Sequence, residues 1–472
     1  MKHDATPDPA RLACLHALTK VREDDAYANL VLPKLLDQAR LDRRDAAFAT
    51  ALTYGALRLQ GRYDAVIAAC VDRPLERIDA VVLDVLRLGA HQLLGMRVPT
   101  HAAVSTSVDL AAYSAGRGAA GFVNAVMRRI DQRDLDGWLD ELRRNAPDEV
   151  TALARTHSHP QWMVKALRQA LKVNDRPAAE LEALLAADNT EPQVALCARP
   201  GLIDPDELAE QVRAATGADT RPGDLSPQAI VLSGGDPSRI QAVRDSRAGV
   251  EDEASQLVAL MLAAAPLEGA DKRWLDLCAG PGGKAALLGA LAATRGATLV
   301  ANEIADHRTG LVQGAVRALP DGVVQLRTGD GRDLGRQESG AYDRILVDAP
   351  CSGLGSLRRR PEARWRRTPQ DVAALAELQR ELLLSAAVAV RPGGVVAYVT
   401  CTPHVLETSL VVRDVTRQAA RAGVRLEPLH AGHLAAELAP RPPAGADREM
   451  LQTWPHLDDS DAMFCALLRR AA

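Results

Sequence analysis

Asp276-Leu277-Cys278-Ala279-Gly280-Pro281-Gly282-Gly283-Lys284 is the stretch on which the reading of this 472-residue chain turns. An apolar run over 273–277 leads into it, and an alanine- and leucine-rich run follows. Glycines let the backbone turn tightly and approach a ligand with no side chain in the way. A helix that opens directly afterwards turns its free N–H groups toward that ligand. Strand, glycine loop and helix in this order make the first unit of a parallel sheet. Further strands are expected at 298–302, 323–327, 344–347 and 395–400, with helical stretches between them and a late strand at 462–468. Such alternation predicts a Rossmann-like sheet with helices on both faces, which binds its ligand at the carboxyl ends of the strands.

The residues expected at those ends are acidic. Glu303 follows the second strand, where a carboxylate accepts both hydroxyls of a ribose. Gly329-Asp330 follows the third and is placed to meet an adenine amino group, and Asp348 follows the fourth. The loop also fits the loose dinucleotide pattern Gly280-x-Gly282-x-x-Ala285, and Glu303 serves either cofactor. A phosphate-loop reading fails, because Ala285 stands where Ser or Thr must hold magnesium and Cys278 where glycine is needed.

Two cysteines carry the chemistry. The fourth strand runs into Asp348-Ala349-Pro350-Cys351-Ser352-Gly353 and the fifth into Cys401. A cysteine at a strand end is most often a small buried apolar residue; Cys14, Cys70, Cys197 and Cys465 are assigned that role, and Cys278 a packing role in the glycine loop. Cys351 and Cys401 differ because both fall at neighbouring strand ends on the side of the cofactor acids. Cytosine C5 is too weak a nucleophile to take a methyl group unaided. A thiolate that adds to C6 turns the ring into an enamine with carbanion character at C5. Asp348 is the acid available to N3. A hydride transfer would have no use for two thiols here. The residues alone leave open which thiol attacks.

Composition is that of an ordinary globular protein, with a net charge of −4, so any RNA contact comes from local basic patches. Only seven of the 57 basic residues are lysine, which weakens any argument from an isolated arginine. Seven cysteines, an odd number without CxxC spacing, predict neither a disulfide framework nor a zinc cluster and point to a reducing cytoplasm. No apolar run is long enough for a membrane span, and residues 1–11 lack the apolar core of a signal peptide. His157 and His159 have no third ligand at recognisable spacing, so no metal is expected.

Upstream, residues 1–145 read as all helix, with Ile78, Val82, Val85, Leu86 and Leu93 at helical spacing and turns at Arg73-Pro74 and Val98-Pro99. Residues 146–248 read as a small α+β unit, with strands at 193–198 and 229–232 and helices at 204–214 and 237–243. The catalytic domain is expected over 249–472.

These motifs resemble the RNA 5-methylcytosine methyltransferases of the NOP2/Sun group, and within it the bacterial Sun (RsmB-type) ribosomal RNA enzymes. The matching pieces are 276–284, 348–352, Arg359–Pro361 with Trp365, Arg391-Pro392-Gly393-Gly394 and Thr400-Cys401, with 249–256 as the lead-in. The N-terminal helices resemble the NusB-type RNA-binding fold around 41–58, and the middle unit is expected to be RRM- or ferredoxin-like. The resemblance implies that Cys401 is the nucleophile and that Cys351 resolves the covalent adduct. It implies S-adenosylmethionine as cofactor, held by Cys278, Ala279, Gly280, Pro281, Gly282, Gly283, Lys284, Glu303, Asp330 and Asp348. It implies 16S ribosomal RNA, before full assembly of the small subunit, as the partner of a monomeric enzyme. The sequence departs from the family at Gly280, where Ala is usual, and at Glu303, where Asp is common. After Cys401 it reads Thr402 and Val405-Leu406-Glu407-Thr408, keeping the glutamate but not the asparagine.

The stretch 358–367 holds six arginines and Trp365 directly after the 348–352 loop. Arginine binds phosphates and stacks on bases, so Arg359, Arg360, Arg364 and Trp365 are candidate RNA contacts, with Arg43 and Arg44 as a second surface. Rival readings are a non-catalytic RNA-binding or antitermination-like factor with a relic methyltransferase domain, a DNA or protein methyltransferase on the same fold, and a nicotinamide dehydrogenase.

Overall fold

A computed structural model describes residues 7–472; the first six residues of the polar N-terminal stretch lie outside it. The chain divides into two compact units. The first comprises residues up to 168, with Ala179–Thr190 and Leu357–Arg366; the second comprises Gln169–Ala178, Glu191–Ser356 and Arg367–Ala472. The helical unit therefore runs beyond the boundary expected at residue 145 and takes in a short segment from far downstream.

Aspartates start the helices of the first unit. Asp8, Asp42, Asp79, Asp134 and Asp148 each accept a backbone N–H two or three residues ahead, opening helices Pro9–Glu23, Arg43–Arg58, Ala80–Leu94, Leu135–Arg144 and Glu149–Thr156. Each such cap satisfies a donor that has no partner inside the helix, worth about 1 kcal/mol. The expected stripe in Ala80–Leu94 is the buried face: Val82, Val85 and Leu86 join Val123, Met127, Ile130 and Trp138 in one core.

The second unit holds two sheets. The smaller has strands β1 (Val194–Ala198), β2 (Thr220–Pro222), β3 (Ala229–Leu232) and β4 (Ala248–Val250), antiparallel in the order β2-β3-β1-β4. Helix Pro205–Thr216, which opens with Pro205 in its first turn, packs on it. The short β2 and β4 carry no alternating pattern long enough to be read from sequence.

The larger sheet contains β5 (Arg273–Asp276), β6 (Thr298–Glu303), β7 (Val324–Thr328), β8 (Tyr342–Asp348), β9 (Val390–Thr400), β10 (Leu426–Leu429), β11 (Leu451–Gln452) and β12 (Phe464–Arg470). Its order is β10-β12-β9-β8-β5-β6-β7, with β11 paired to β12. Strands β5 to β9 are parallel to one another. The late strand is the exception to the parallel order: β12 runs antiparallel to both β9 and β10. Helix Ser409–Arg421 carries the chain across to β10, parallel to β9, and the last strand then enters between them from the opposite end.

Alternation along β9 shows why two cores form. Val395, Ala397 and Val399 face helices Glu253–Ala264 and Gly283–Thr294, whereas Val396 and Tyr398 face Pro369–Ala389 and Ser409–Arg421. Strands buried on both faces must read as near-continuous apolar runs. The row of strand ends they leave exposed is the site.

Candidate active site

β5 ends at Asp276, and the glycine loop follows. Gly282, at φ +115°, adopts a backbone conformation that side chains rarely tolerate, and helix Gly283–Thr294 starts after it. Asn302 ties the neighbouring ends together, its side-chain amide donating to the carbonyls of Leu277 and Gly329 at 3.0 Å each. Asp276 Oδ1 and Asn302 Oδ1 are buried with no hydrogen-bond partner. Burial, with the negative charge of Asp348 nearby, pushes the Asp276 carboxyl up to about 8. An orphaned buried carboxylate beside a glycine cradle is what the ammonium of a methionine moiety requires. Ile304, 63% exposed, adds an apolar side chain directly after Glu303. The donor set thus fits S-adenosylmethionine.

The expected cofactor residues fall along this row. Cys278 is partly buried in the loop. Glu303 is buried, and its Oε1 accepts from the Ile304 and Ala305 backbones at 3.0 and 3.3 Å. Asp330 caps the next helix and pairs with Arg332 at 2.6 Å. Lys284 turns toward the chemical end, its ammonium 2.8 Å from Asp348 Oδ2. Burial works against the Lys284 charge, but the Asp348 and Glu251 carboxylates outweigh it and hold the ammonium above its usual range.

β8 and β9 are adjacent and parallel, with Asp348 opposite Val399. Their ends bring Cys351 Sγ and Cys401 Sγ to 3.3 Å. A hydrogen bond from Cys351 lowers the Cys401 thiol below the ordinary range, against burial and the Asp348 charge and with help from Lys284. The same contact, with burial and the nearby Glu407, pushes Cys351 up. Only one thiol of a close pair ionises easily, because the second negative charge would face the first.

The Cys351 loop is built by residues that the motifs did not flag as functional. Fully buried Glu407 accepts from the Ser352 backbone at 2.8 Å, from the Ser352 hydroxyl and from Gln379 Nε2 at 3.1 Å. Gln379 also donates to the Pro350 carbonyl at 2.8 Å, and the Tyr398 hydroxyl donates to the Glu407 carbonyl at 2.8 Å. Gly355 passes so near that a side chain there would overlap the Ala462 carbonyl, and its N–H donates to the Cys401 carbonyl at 2.9 Å. Glu407 was legible as a surviving motif residue, but its role was not. Gln379 and Tyr398 carry no sequence signal, lying mid-helix and mid-strand.

In the helical unit the arginine-rich segment divides. Arg360 is exposed, over the Tyr27 ring at 5.3 Å, and Arg359 is partly exposed. Trp365 is 37% exposed, with one ring edge against Gly61. Arg43 and Arg44 are exposed. Arg364 is fully buried and must be withdrawn as an RNA contact. Its guanidinium donates to the carbonyls of Arg58, Ser158 and Asp188 at 2.8, 3.2 and 2.6 Å and to Asn189 Oδ1 at 2.6 Å. It is an internal anchor of that unit. Arg358 is buried as well. His159 is also internal, bonded to the His157 carbonyl and to Asp188. The packing role of Cys14, Cys70, Cys197 and Cys465 agrees with their burial. Among the described residues no helix is long and apolar enough to cross a membrane.

Comparison with known proteins agrees with this geometry. Residues 261–469 match the family of 16S rRNA methyltransferases RsmB/F, and residues 8–132 match the NusB family. A putative methyltransferase of Mycobacterium tuberculosis is 49% identical over 98% of this chain and 97% of its own. The ribosomal RNA small subunit methyltransferase B of Pseudomonas syringae is 33% identical over 85% of each chain. The Bacillus subtilis protein described as a probable enzyme of that name is 31% identical over 84% and 86%. The crystal structure of PH0851 shares the fold, at a TM-score of 0.78 and 19% identity over 98% of this chain and 99% of that one. The Pyrococcus horikoshii NSun6 structure with SFG superimposes at 0.51, with 18% identity over 65% of this chain and 98% of that one. A methyltransferase sheet, a NusB-like helical unit and relatives alike over most of their length place this chain in the RsmB/F family of S-adenosylmethionine-dependent 16S ribosomal RNA methyltransferases.

Proposed function

We propose that the protein methylates C5 of one cytosine in 16S ribosomal RNA through a covalent adduct between Cys401 Sγ and cytosine C6. The observation that carries this reading is the pair of sulfurs 3.3 Å apart at the ends of β8 and β9, with the Asp348–Lys284 ion pair at the same end.

Cys401 is the better thiolate of the two, because Cys351 donates to it and Lys284 adds positive charge. Its attack on C6 breaks the C5–C6 double bond and moves an electron pair onto the ring. A proton held between the Lys284 ammonium and the Asp348 carboxyl is passed to N3, which Asp348 then hydrogen-bonds, and this supports that charge. Bound S-adenosylmethionine supplies an electrophilic methyl group, and the carbanion-like C5 takes it. A base then removes the C5 proton, the double bond re-forms and the Cys401 thiolate leaves. Cys351, the less acidic thiol, serves this resolution. Asp276 would hold the methionine ammonium, the loop 278–284 its carboxylate end, Glu303 the ribose and Asp330 the adenine. A base in structured RNA must first be unstacked. The helical unit, through Arg43, Arg44, Arg359, Arg360 and Trp365, would hold the RNA while the sheet does the chemistry. The enzyme would act as a monomer, in the cytoplasm, before the small subunit is fully assembled.

Two measurements test the reading. Bisulfite mapping of 16S RNA from cells lacking the gene should lose one methylated cytosine; no loss would overturn the substrate. Cys401→Ala should abolish both methylation and adduct, and Cys351→Ala should accumulate a denaturant-resistant adduct. The reverse pattern would make Cys351 the nucleophile.

A further inference from the structure

Gly280 is not explained by its backbone. It is absent from the glycines with positive φ, so a left-handed backbone does not require it. What excludes a side chain is space. A Cβ at Gly280 would overlap Glu303 Oε2 and lie 2.8 and 2.9 Å from Arg308 Nη2 and Nε. Glu303 Oε2 reaches across to accept the Gly280 N–H at 3.1 Å, and Arg308 Nη2 closes the ring, donating to the Gly280 carbonyl at 2.8 Å and lying 3.5 Å from Oε2.

We infer that Gly280 and Glu303 are a single specificity element, in which the length of the acid and the absence of a Cβ require each other, and that with Arg308 they set the ribose end of the cofactor pocket. The geometry is reciprocal. An aspartate at 303 would draw the carboxylate back by about 1.5 Å, the length of one C–C bond. That withdrawal vacates the volume a methyl group at 280 would fill. Either change alone is damaging: alanine at 280 drives the Glu303 carboxylate off its backbone donors, and aspartate at 303 leaves a gap and an unpaired Gly280 N–H. Both together restore a filled subsite, the methyl group occupying the volume that the shorter acid vacates. Arg308 belongs to the element because a carboxylate offers about four acceptor positions. Three are held by the Gly280, Ile304 and Ala305 N–H groups. Arg308 Nη2 stands 3.5 Å from Oε2 on the side of the fourth, where a ribose hydroxyl would compete with it.

The inference rests on Glu303 meeting the ribose, and the experiment separates the two claims. Binding of S-adenosylmethionine and S-adenosylhomocysteine is measured by calorimetry, with thermal midpoints, for Glu303→Ala, Gly280→Ala, Glu303→Asp and the Gly280→Ala/Glu303→Asp double variant. Glu303→Ala should weaken both ligands at least about tenfold; unchanged binding would remove the ribose reading itself. Gly280→Ala should weaken them about tenfold or more and Glu303→Asp about fivefold, with KM for the cofactor rising in step. The double variant should bind within about threefold of the wild type, a coupling that independent sites do not show. If Gly280→Ala does not fold, recovery of a folded, ligand-binding double variant is the same rescue. A double variant no better than Gly280→Ala, in binding or in folding, overturns the interlock.

Discussion

The end of β5 and the loop after β8 lie on the same edge of one sheet and are built in opposite ways. At β5, Asp276 and its neighbour Asn302 each keep a buried oxygen without a partner, and Asp276 holds its proton up to about 8. After β8, Ser352, Gln379, Tyr398 and Glu407 satisfy one another before anything binds. An orphaned polar atom costs stability that only a ligand returns, whereas a satisfied network fixes a reacting group in place. One end is made to be completed by a cofactor and the other to hold a thiol still.

The widest separation between the two ends should appear at Asp348. Asp348→Asn should lower kcat about 1,000-fold, the scale of an acid lost from a proton-handling site, while cofactor affinity stays within a few-fold. Equal loss of cofactor binding would erase the division. Asp276→Asn tests the other end. It should weaken S-adenosylmethionine about 100-fold, because a neutral amide cannot pair with the ammonium. Stability of the free protein should move the other way. A carboxyl whose folded pKa lies above its unfolded value of 3.8 binds its proton better when folded, so its contribution falls as pH climbs from about 4 toward 8. Asp276→Asn should therefore raise the thermal midpoint of the ligand-free protein at pH 8 and change it little at pH 4. A lower midpoint at both would mean that Asp276 is already paired.

Glu407→Ala strips acceptors from the Ser352 backbone, the Ser352 hydroxyl and Gln379. We expect about 30-fold lower kcat, unchanged cofactor affinity and a destabilisation of about 2 kcal/mol from the donors left buried. Loss of cofactor affinity in step with kcat would join the two ends into one.

What the sequence disclosed follows the same contrast. The glycine loop, the strand-end acids and the two thiols were legible because each is a local motif at a boundary between apolar runs. Strands β6, β8 and β9 were legible because burial on both faces leaves long apolar stretches. Gln379 and Tyr398 were not, because a residue that supports a loop from mid-helix or mid-strand looks like any other. Arg364 misled for a related reason. Six arginines in ten residues read as a charged face, yet four oxygen acceptors around one guanidinium make burial tolerable, and acceptors distant in sequence do not show in composition. The fit between Gly280 and Glu303 was visible only as two separate departures until their atoms were placed side by side.

The finest test of the pre-built end is the Cys351–Cys401 contact itself. A lowered Cys401 pKa means that its thiolate persists to lower pH than an ordinary thiol, and the largest cause is the hydrogen bond from Cys351. Cys351→Ala removes that donor, so the Cys401 pKa should rise and the pH midpoint for its alkylation by iodoacetamide should move up. Cys351→Ser keeps a donor and should move it less. Cys401→Ala in either background identifies the alkylated sulfur by the signal it removes. Lys284 bears on the same midpoint through space and would remain in all of these variants, but burial and the Asp348 charge outweigh it, so the Cys401 midpoint should lie above the ordinary thiol range once Cys351 is gone. A midpoint that stays fixed in Cys351→Ala would assign the whole effect to Lys284 and leave Cys351 only its part in resolving the adduct.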